Sequence, residues 1–202
     1  MTLKTTSRFK KIMRIKLLAL CGSARRDSIN GRLLALAIAA ARDAGAEVTN
    51  YALTTDQLPL FDQDRESADG IPSAAMELKA AFHAHDGLLI ASPEYNGFFT
   101  PLLKNAIDWV SRPVAGAPSP FAGKTAALFA ASSGTLGGIR GLPHLRLLLS
   151  NLGVHVAAGQ MALAKADQAY GPDGKLADTG QQAMLEKCVA DLLQLTTGLK
   201  PV

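Results

Sequence analysis

The sequence predicts an α/β fold: a doubly wound, five-stranded parallel sheet in the order 2-1-3-4-5, with helices on both faces. Three observations predict it. Five short aliphatic runs are separated by segments of ten or more residues with helical spacing, which is how parallel strands and their crossover helices read. The clearest run, residues 87–91, is apolar throughout instead of alternating, as expected of a strand covered on both sides. Finally, the three least ordinary loops are those leaving strands 1, 3 and 4. In this strand order those loops meet where the direction of winding reverses, and ligands bind at such a point.

The first strand is Ile15-Lys16-Leu17-Leu18-Ala19-Leu20, and residues 21–30 break it with a polar loop that starts at Cys21-Gly22. From Asn30 onward Leu33, Leu34, Ala37, Ile38 and Ala41 recur at helical spacing, with Ser28 or Asn30 as the N-cap and Gly45 as the stop. Residues 47–51 form a short second strand. Residues 54–70, interrupted by Asp56, Pro59, Asp62, Asp64 and Gly70, read as a long loop. Its acids, with Glu66 and Asp69, have no regular metal-ligand spacing and read as a solvated face. Pro72 opens a helix that presents Ala75, Leu78, Lys79 and Phe82. His83 and His85 follow at its end; two residues apart they cannot share a helical face, so they read as cap residues and not as a metal pair.

Strand 3 at 87–91 ends in Ser92-Pro93-Glu94-Tyr95-Asn96-Gly97-Phe98-Phe99-Thr100, and Pro101 starts the next helix, to about Val110. A Pro/Gly/Ser/Ala connector at 112–123 leads to strand 4, which ends at Ser132-Ser133-Gly134-Thr135-Leu136-Gly137-Gly138. A helix from about Ile139 to Leu152 carries Pro143 near its start, where proline is tolerated. Residues 154–163 are the fifth strand, and the last helix runs from about Thr179 to Thr196.

Composition narrows the function classes. The 202 residues are 48% hydrophobic and 19% charged, ordinary for a globular enzyme. No apolar run approaches the ~20 residues of a membrane span. The two cysteines, Cys21 and Cys188, make neither a disulfide framework nor a metal pattern, so the expected compartment is the cytoplasm. The net charge of +4 comes from Lys4, Arg8, Lys10 and Lys11; beyond them the basic residues equal the 17 acidic ones in number. A neutral body does not point to nucleic acid. Residues 1–12 therefore read as a disordered or wrongly extended tail, and residues 13–202 as a single domain.

Each of the three loops offers particular chemistry. Residues 22–30 put hydroxyls, free N–H groups, a helix N-terminus and the Arg25 guanidinium around one point, suited to a phosphate. Residues 93–97 offer main-chain polar groups, a phenol and an amide beside Phe98 and Phe99, suited to a flat ring with polar edges. Residues 132–138 carry so little side chain that a planar ligand could lie on their backbone. Other motifs fail. Gly123-Lys124-Thr125 would need glycine at Pro118 to end a P-loop, and it precedes a strand instead of following one. Gly134, Gly137, Gly138 and Gly141 do not form a dinucleotide fingerprint. There is no nucleophile elbow, and His144 and His155 have no evident Ser or Cys partner.

Residues 22–30, together with Pro93-Glu94-Tyr95-Asn96-Gly97 and Leu103-Lys104-Asn105-Ala106-Ile107-Asp108-Trp109, resemble the NADPH-dependent FMN reductase family, which includes flavodoxin-like quinone, azo-dye and chromate reductases. The resemblance spans about residues 13–163. It implies a flavodoxin-like fold and bound FMN, with NAD(P)H as co-substrate. Ser23, Arg25, Ser28 and Asn30 would surround the phosphate. Pro93, Glu94, Tyr95, Asn96 and Gly97 would lie along the ring, and Ser132, Ser133 and Gly134 at its other edge. Tyr95, Phe98 and Phe99 would form the substrate face. The flavin would carry the chemistry, with no catalytic side chain and no metal, and hydride would pass by a ping-pong route to a quinone, azo, nitro, chromate or free-flavin acceptor. A homodimer or homotetramer is implied. Glu94 is expected to bond its own loop, and Asp108 to be structural. A one-electron carrier of the flavodoxin type and a non-catalytic FMN-binding module remain alternatives.

Overall fold

Residues 14–200 are described by a computed structural model; the tail expected over 1–12 lies outside the described residues. Strands β1 (Lys16–Cys21), β2 (Glu47–Tyr51), β3 (Gly87–Ala91), β4 (Thr125–Ala131) and β5 (His155–Leu163) form one sheet in the order β2-β1-β3-β4-β5. All four pairings are parallel. This is the flavodoxin-like arrangement the sequence predicts.

The side-chain period of two sorts each central strand onto two cores. Leu17 and Ala19 of β1 join Leu89, Ala127 and Phe129 beneath helices α1 (Ile29–Asp43) and α6 (Thr179–Leu199). Leu18 and Leu20 face the other way, with Leu88, Ile90, Ala126 and Leu128. They lie beneath α3 (Ser73–Ala84), α4 (Pro101–Ser111) and α5 (Gly141–Asn151). Burying each such leucine contributes about 1.5–3 kcal/mol, so two covered faces dominate the stability. His85 caps α3 as expected, its Nδ1 lying 2.6 Å from the Ala81 carbonyl oxygen.

The stretch 54–70 differs from the long loop expected. Gln63–Asp69 forms a helix, α2, with the Asp62 side chain accepting from the Asp64 N–H at 2.9 Å. None of its residues is buried, so it carries no apolar period for a sequence reading to detect. Its anchors are polar: Arg112 Nε donates to Glu66 at 2.7 Å. The preceding residues are tied to α4, where Asn105 accepts from the Phe61 N–H at 2.8 Å and Trp109 Nε1 donates to the Pro59 carbonyl at 2.7 Å. Helix α5 begins at Gly141, two residues later than expected, because residues 135–140 turn before entering it.

Candidate functional site

Parallel strands present all their carboxyl ends at one edge, and here the loops after β1, β3 and β4 are stitched together. The Gly22 N–H donates to the Ala91 carbonyl at 2.8 Å, and the Ser92 N–H donates to that of Phe129 at 3.0 Å. Thr100, N-cap of α4, turns its hydroxyl onto the Gly22 carbonyl at 2.7 Å. This closeness requires glycine at position 22: a Cβ there would stand 2.8 Å from Thr100 Oγ1 and 3.0 Å from Ser92 Oγ.

The first loop leads into α1. Ser28 is its N-cap, accepting from the Gly31 N–H at 3.1 Å, and the Ser23 hydroxyl accepts from the Arg25 N–H at 3.4 Å. A cleft of about 680 Å³ opens between this loop, the first turn of α1 and residues 50–54 after β2. Arg25, Arg26 and Arg32 line it, with Asp27 as the single acid, and the first turn of α1 carries no acid. Arg32 is steadied over the Tyr170 ring, 3.8 Å from its centroid. Cys21 also lines the cleft, but burial pushes its thiol above the ordinary value and hydrogen bonds from Ser23 and Ser28 do not reverse that, so it stays protonated.

Asn30 is placed differently from the phosphate group expected around it. Its side chain is buried: Nδ2 donates to the Ala131 carbonyl at 2.8 Å and Oδ1 accepts from the Ala131 N–H at 2.9 Å. The amide thus pins the start of α1 to the end of β4.

The second loop is a tight hairpin. The Tyr95 N–H donates to the Phe98 carbonyl at 2.8 Å and the Phe98 N–H returns to Tyr95 at 3.0 Å. Asn96 has φ 53° and Gly97 φ 84°, the left-handed pair of a type I′ turn. The turn leaves Tyr95 51% and Phe98 45% exposed, while Phe99 is 4% exposed and belongs to the core under α4 and α5. The expected substrate face of Tyr95, Phe98 and Phe99 therefore loses Phe99, because adjacent residues of an extended segment point to opposite sides. Phe98 stacks on His144 of α5, with centroids 4.4 Å apart and planes at 26°.

Glu94 does not bond its own loop as expected. Its carboxylate takes the Arg140 N–H at 3.0 Å and Arg140 Nε at 2.6 Å, and the guanidinium also closes on it through Nη2. Burial pushes this carboxyl up, but the bonds from Arg140 outweigh burial and leave it below the ordinary carboxylate value. Asp108 is structural as expected, paired with Lys104 at 2.7 Å. In the third loop Ser132 donates its N–H to Leu163 at 3.1 Å, and Gly134 accepts from the Lys165 N–H at 3.0 Å, so residues 132–134 rest against the end of β5. Ser133 and Gly134 are exposed there, and Pro93 is half-buried across from them. A sequence reading missed Arg32, Tyr170 and Arg140. It also missed Thr100, although Thr-Pro before an apolar run is a visible helix start.

A flavodoxin-like sheet with an arginine-lined cleft and an exposed aromatic hairpin at the same edge is the architecture of a class of nucleotide-cofactor proteins. The sequence model of the NADPH-dependent FMN reductase family matches residues 15–168, and the chain belongs to that family. It is therefore an oxidoreductase that uses FMN and NAD(P)H. The chain is 35% identical to the NAD(P)H-dependent FMN reductase of Pseudomonas aeruginosa, over 86% of this chain and 90% of that one. It is also 35% identical to the quinone reductase of Escherichia coli K12, covering 67% and 70% respectively. Among solved structures, the flavoenzyme NAD(P)H:(acceptor) oxidoreductase FerB of Paracoccus denitrificans matches with a TM-score of 0.76 and 27% identity, over 91% of this chain and 98% of that one. The donor set fits the cofactor. A phosphate dianion needs N–H groups and cations in excess of acids, and the cleft supplies the first turn of α1, the Ser23 and Ser28 hydroxyls and three arginines against one aspartate.

Proposed function

We propose that this protein passes hydride from NAD(P)H, through FMN, to a small acceptor such as a quinone, nitro or azo compound, chromate or free flavin. The observation that carries this reading is that the loop bearing the arginine-lined cleft and the segment following the Tyr95–Phe98 hairpin are bonded at one sheet edge, through Gly22 and Thr100. Ser23, Arg25, Ser28 and the main-chain N–H groups of Ile29 and Asn30 would hold the phosphate. Pro93, Tyr95, Asn96 and Gly97 would run along the ring on one side, and Ser132, Ser133 and Gly134 on the other. FMN, when bound, supplies the two-electron chemistry. The chain's own work is to grip the phosphate, orient the ring edge with main-chain groups and shelter its surroundings with Tyr95 and Phe98.

One exposed aromatic rim and no dinucleotide fingerprint leave donor and acceptor a single surface to share. They alternate on it, which is ping-pong turnover. Four of the exposed large apolar residues, Tyr95, Phe98, Leu136 and Ile139, come from the loops after β3 and β4 and suit contact with a second copy, in a homodimer or homotetramer of the cytoplasm. No helix among the described residues is long and apolar enough to cross a membrane.

Initial rates over varied NAD(P)H and quinone test the reading on purified, FMN-loaded protein. Parallel double-reciprocal lines are expected. Intersecting lines, which require both substrates bound at once, would overturn the shared surface; absence of FMN binding would overturn the cofactor site itself.

A further inference from the structure

We propose that Glu94 is a positioning residue: from the loop after β3 its carboxylate caps helix α5, and this cap across the two loops sets the gap in which the cofactor ring lies. The geometry stands by itself; the consequence for the ring rests on the cofactor reading above.

Helix α5 has no cap of its own. Its N-cap position is Arg140, whose backbone is already helical (φ −69°, ψ −28°) and whose side chain makes no capping bond. Pro143, in the first turn, has no N–H to offer. The donors at a helix start need an acceptor, and Glu94 Oε2 meets the Arg140 N–H at 3.0 Å. An anion is the favoured partner at this end of a helix dipole. The acceptor comes from 46 residues away in sequence and from a different strand.

What precedes Arg140 explains why the cap matters. Residues 132–140 contain Gly134, Gly137 and Gly138, and Gly137 and Gly138 both have left-handed φ. Such a stretch has little stiffness of its own. It is fastened to β5 at its start by Ser132 and Gly134, and to the β3 loop at its end by Glu94. Without Glu94 the end of the loop nearest the Tyr95–Phe98 hairpin loses its polar link to the β3 loop and keeps the packing of Gly141 and His144 against Phe98. Both carboxylate oxygens bond to Arg140, so the residue acts on the start of α5.

The Arg140 side chain is 62% exposed, whereas that of Glu94 is 8% exposed. An ion pair so open on one side is worth little; the bond to the main-chain N–H is the part that fixes the helix. That distinction is testable. Glu94→Ala removes the acceptor, Glu94→Gln keeps an oxygen for the N–H, and Arg140→Ala keeps the N–H while deleting the guanidinium. Amide hydrogen exchange over residues 132–142 is measured on cofactor-free protein, and the FMN dissociation constant by quenching of flavin fluorescence. Glu94→Ala is expected to speed exchange at Arg140 and to weaken FMN binding, each about ten-fold. Glu94→Gln and Arg140→Ala are expected to stay within about three-fold of wild type, since each retains the capping bond.

Equal losses in all three variants would mean that the ion pair and not the cap does the work, and would overturn the proposal. So would Glu94→Ala with unchanged exchange. Changed exchange with unchanged FMN affinity would overturn its bearing on the ring. If wild type itself failed to take FMN, the cofactor reading would fall, and exchange alone would judge the cap. Should Glu94→Ala fail to fold, the wild-type Arg140 amide decides: exchange at the rate of a free peptide would overturn the cap, and protection would support it.

Discussion

Arg25 stands exposed between Ser23 and the Ser28 cap, with no acidic partner among the described residues. A guanidinium in that position is free to take two phosphate oxygens. A charge-assisted bond of this kind is worth about 1.5–3 kcal/mol, so Arg25→Ala should weaken FMN binding roughly ten- to hundred-fold. Riboflavin, which has no phosphate, should bind wild type and variant alike; equal loss of both in a fluorescence titration would remove Arg25 from the phosphate. Glu94 has a separate signature in stability. Its folded pKa lies below the ordinary 4.5, so its contribution is complete above that value and disappears as pH falls through the folded one. Urea midpoints should show wild type ahead of Glu94→Gln at pH 7, with the gap closing below about pH 4.5. The Ser28 cap and the place of Arg25 in the same loop were legible in the sequence because a loop before a helix confines its own residues. Asn30 and Glu94 were not: their partners Ala131 and Arg140 lie on other loops, and no local pattern reports a bond of that reach.

The hairpin at the end of β3 separates two adjacent phenylalanines into different roles. Phe98 lies on the rim against His144, and Phe99 fills the core. Phe99→Ala should therefore destabilise the protein by about 3–5 kcal/mol, the cost of an aromatic cavity. Phe98→Ala should leave the thermal midpoint nearly unchanged and raise KM for donor and acceptor together. A KM effect confined to one substrate would argue for separate sites. Elements with an apolar stripe, such as α1, were readable from spacing, as was β3 from its unbroken aliphatic run. Helix α2 was not, because it buries nothing and depends on the Asp62 cap and the Glu66–Arg112 pair. Asn96-Gly97 is a turn-forming dipeptide that the sequence reading did not use, and which aromatic the turn sends inward depends on where the second core lies.

At the scale of the whole chain, strand order brought the three loops together, and it was readable because each strand alternates with a helix long enough to cross over. The family match starts at residue 15, past the cluster of four basic residues. Deleting residues 1–12 should accordingly leave FMN content, activity and melting temperature at wild-type levels. Loss of folded protein in that truncation would show that the segment belongs to the fold. The Asn30–Ala131 link also has a consequence in time. Its partners are 101 residues apart, so a chain emerging from the ribosome makes the start of α1 long before the strand that anchors it. Contacts of such separation form late, because the intervening loop must close first. Helices and the β1–β2 pair can form early, but the pocket has to wait for β4. In a refolding experiment the far-UV signal should recover ahead of flavin capture, making the bound cofactor a reporter of the last step of folding.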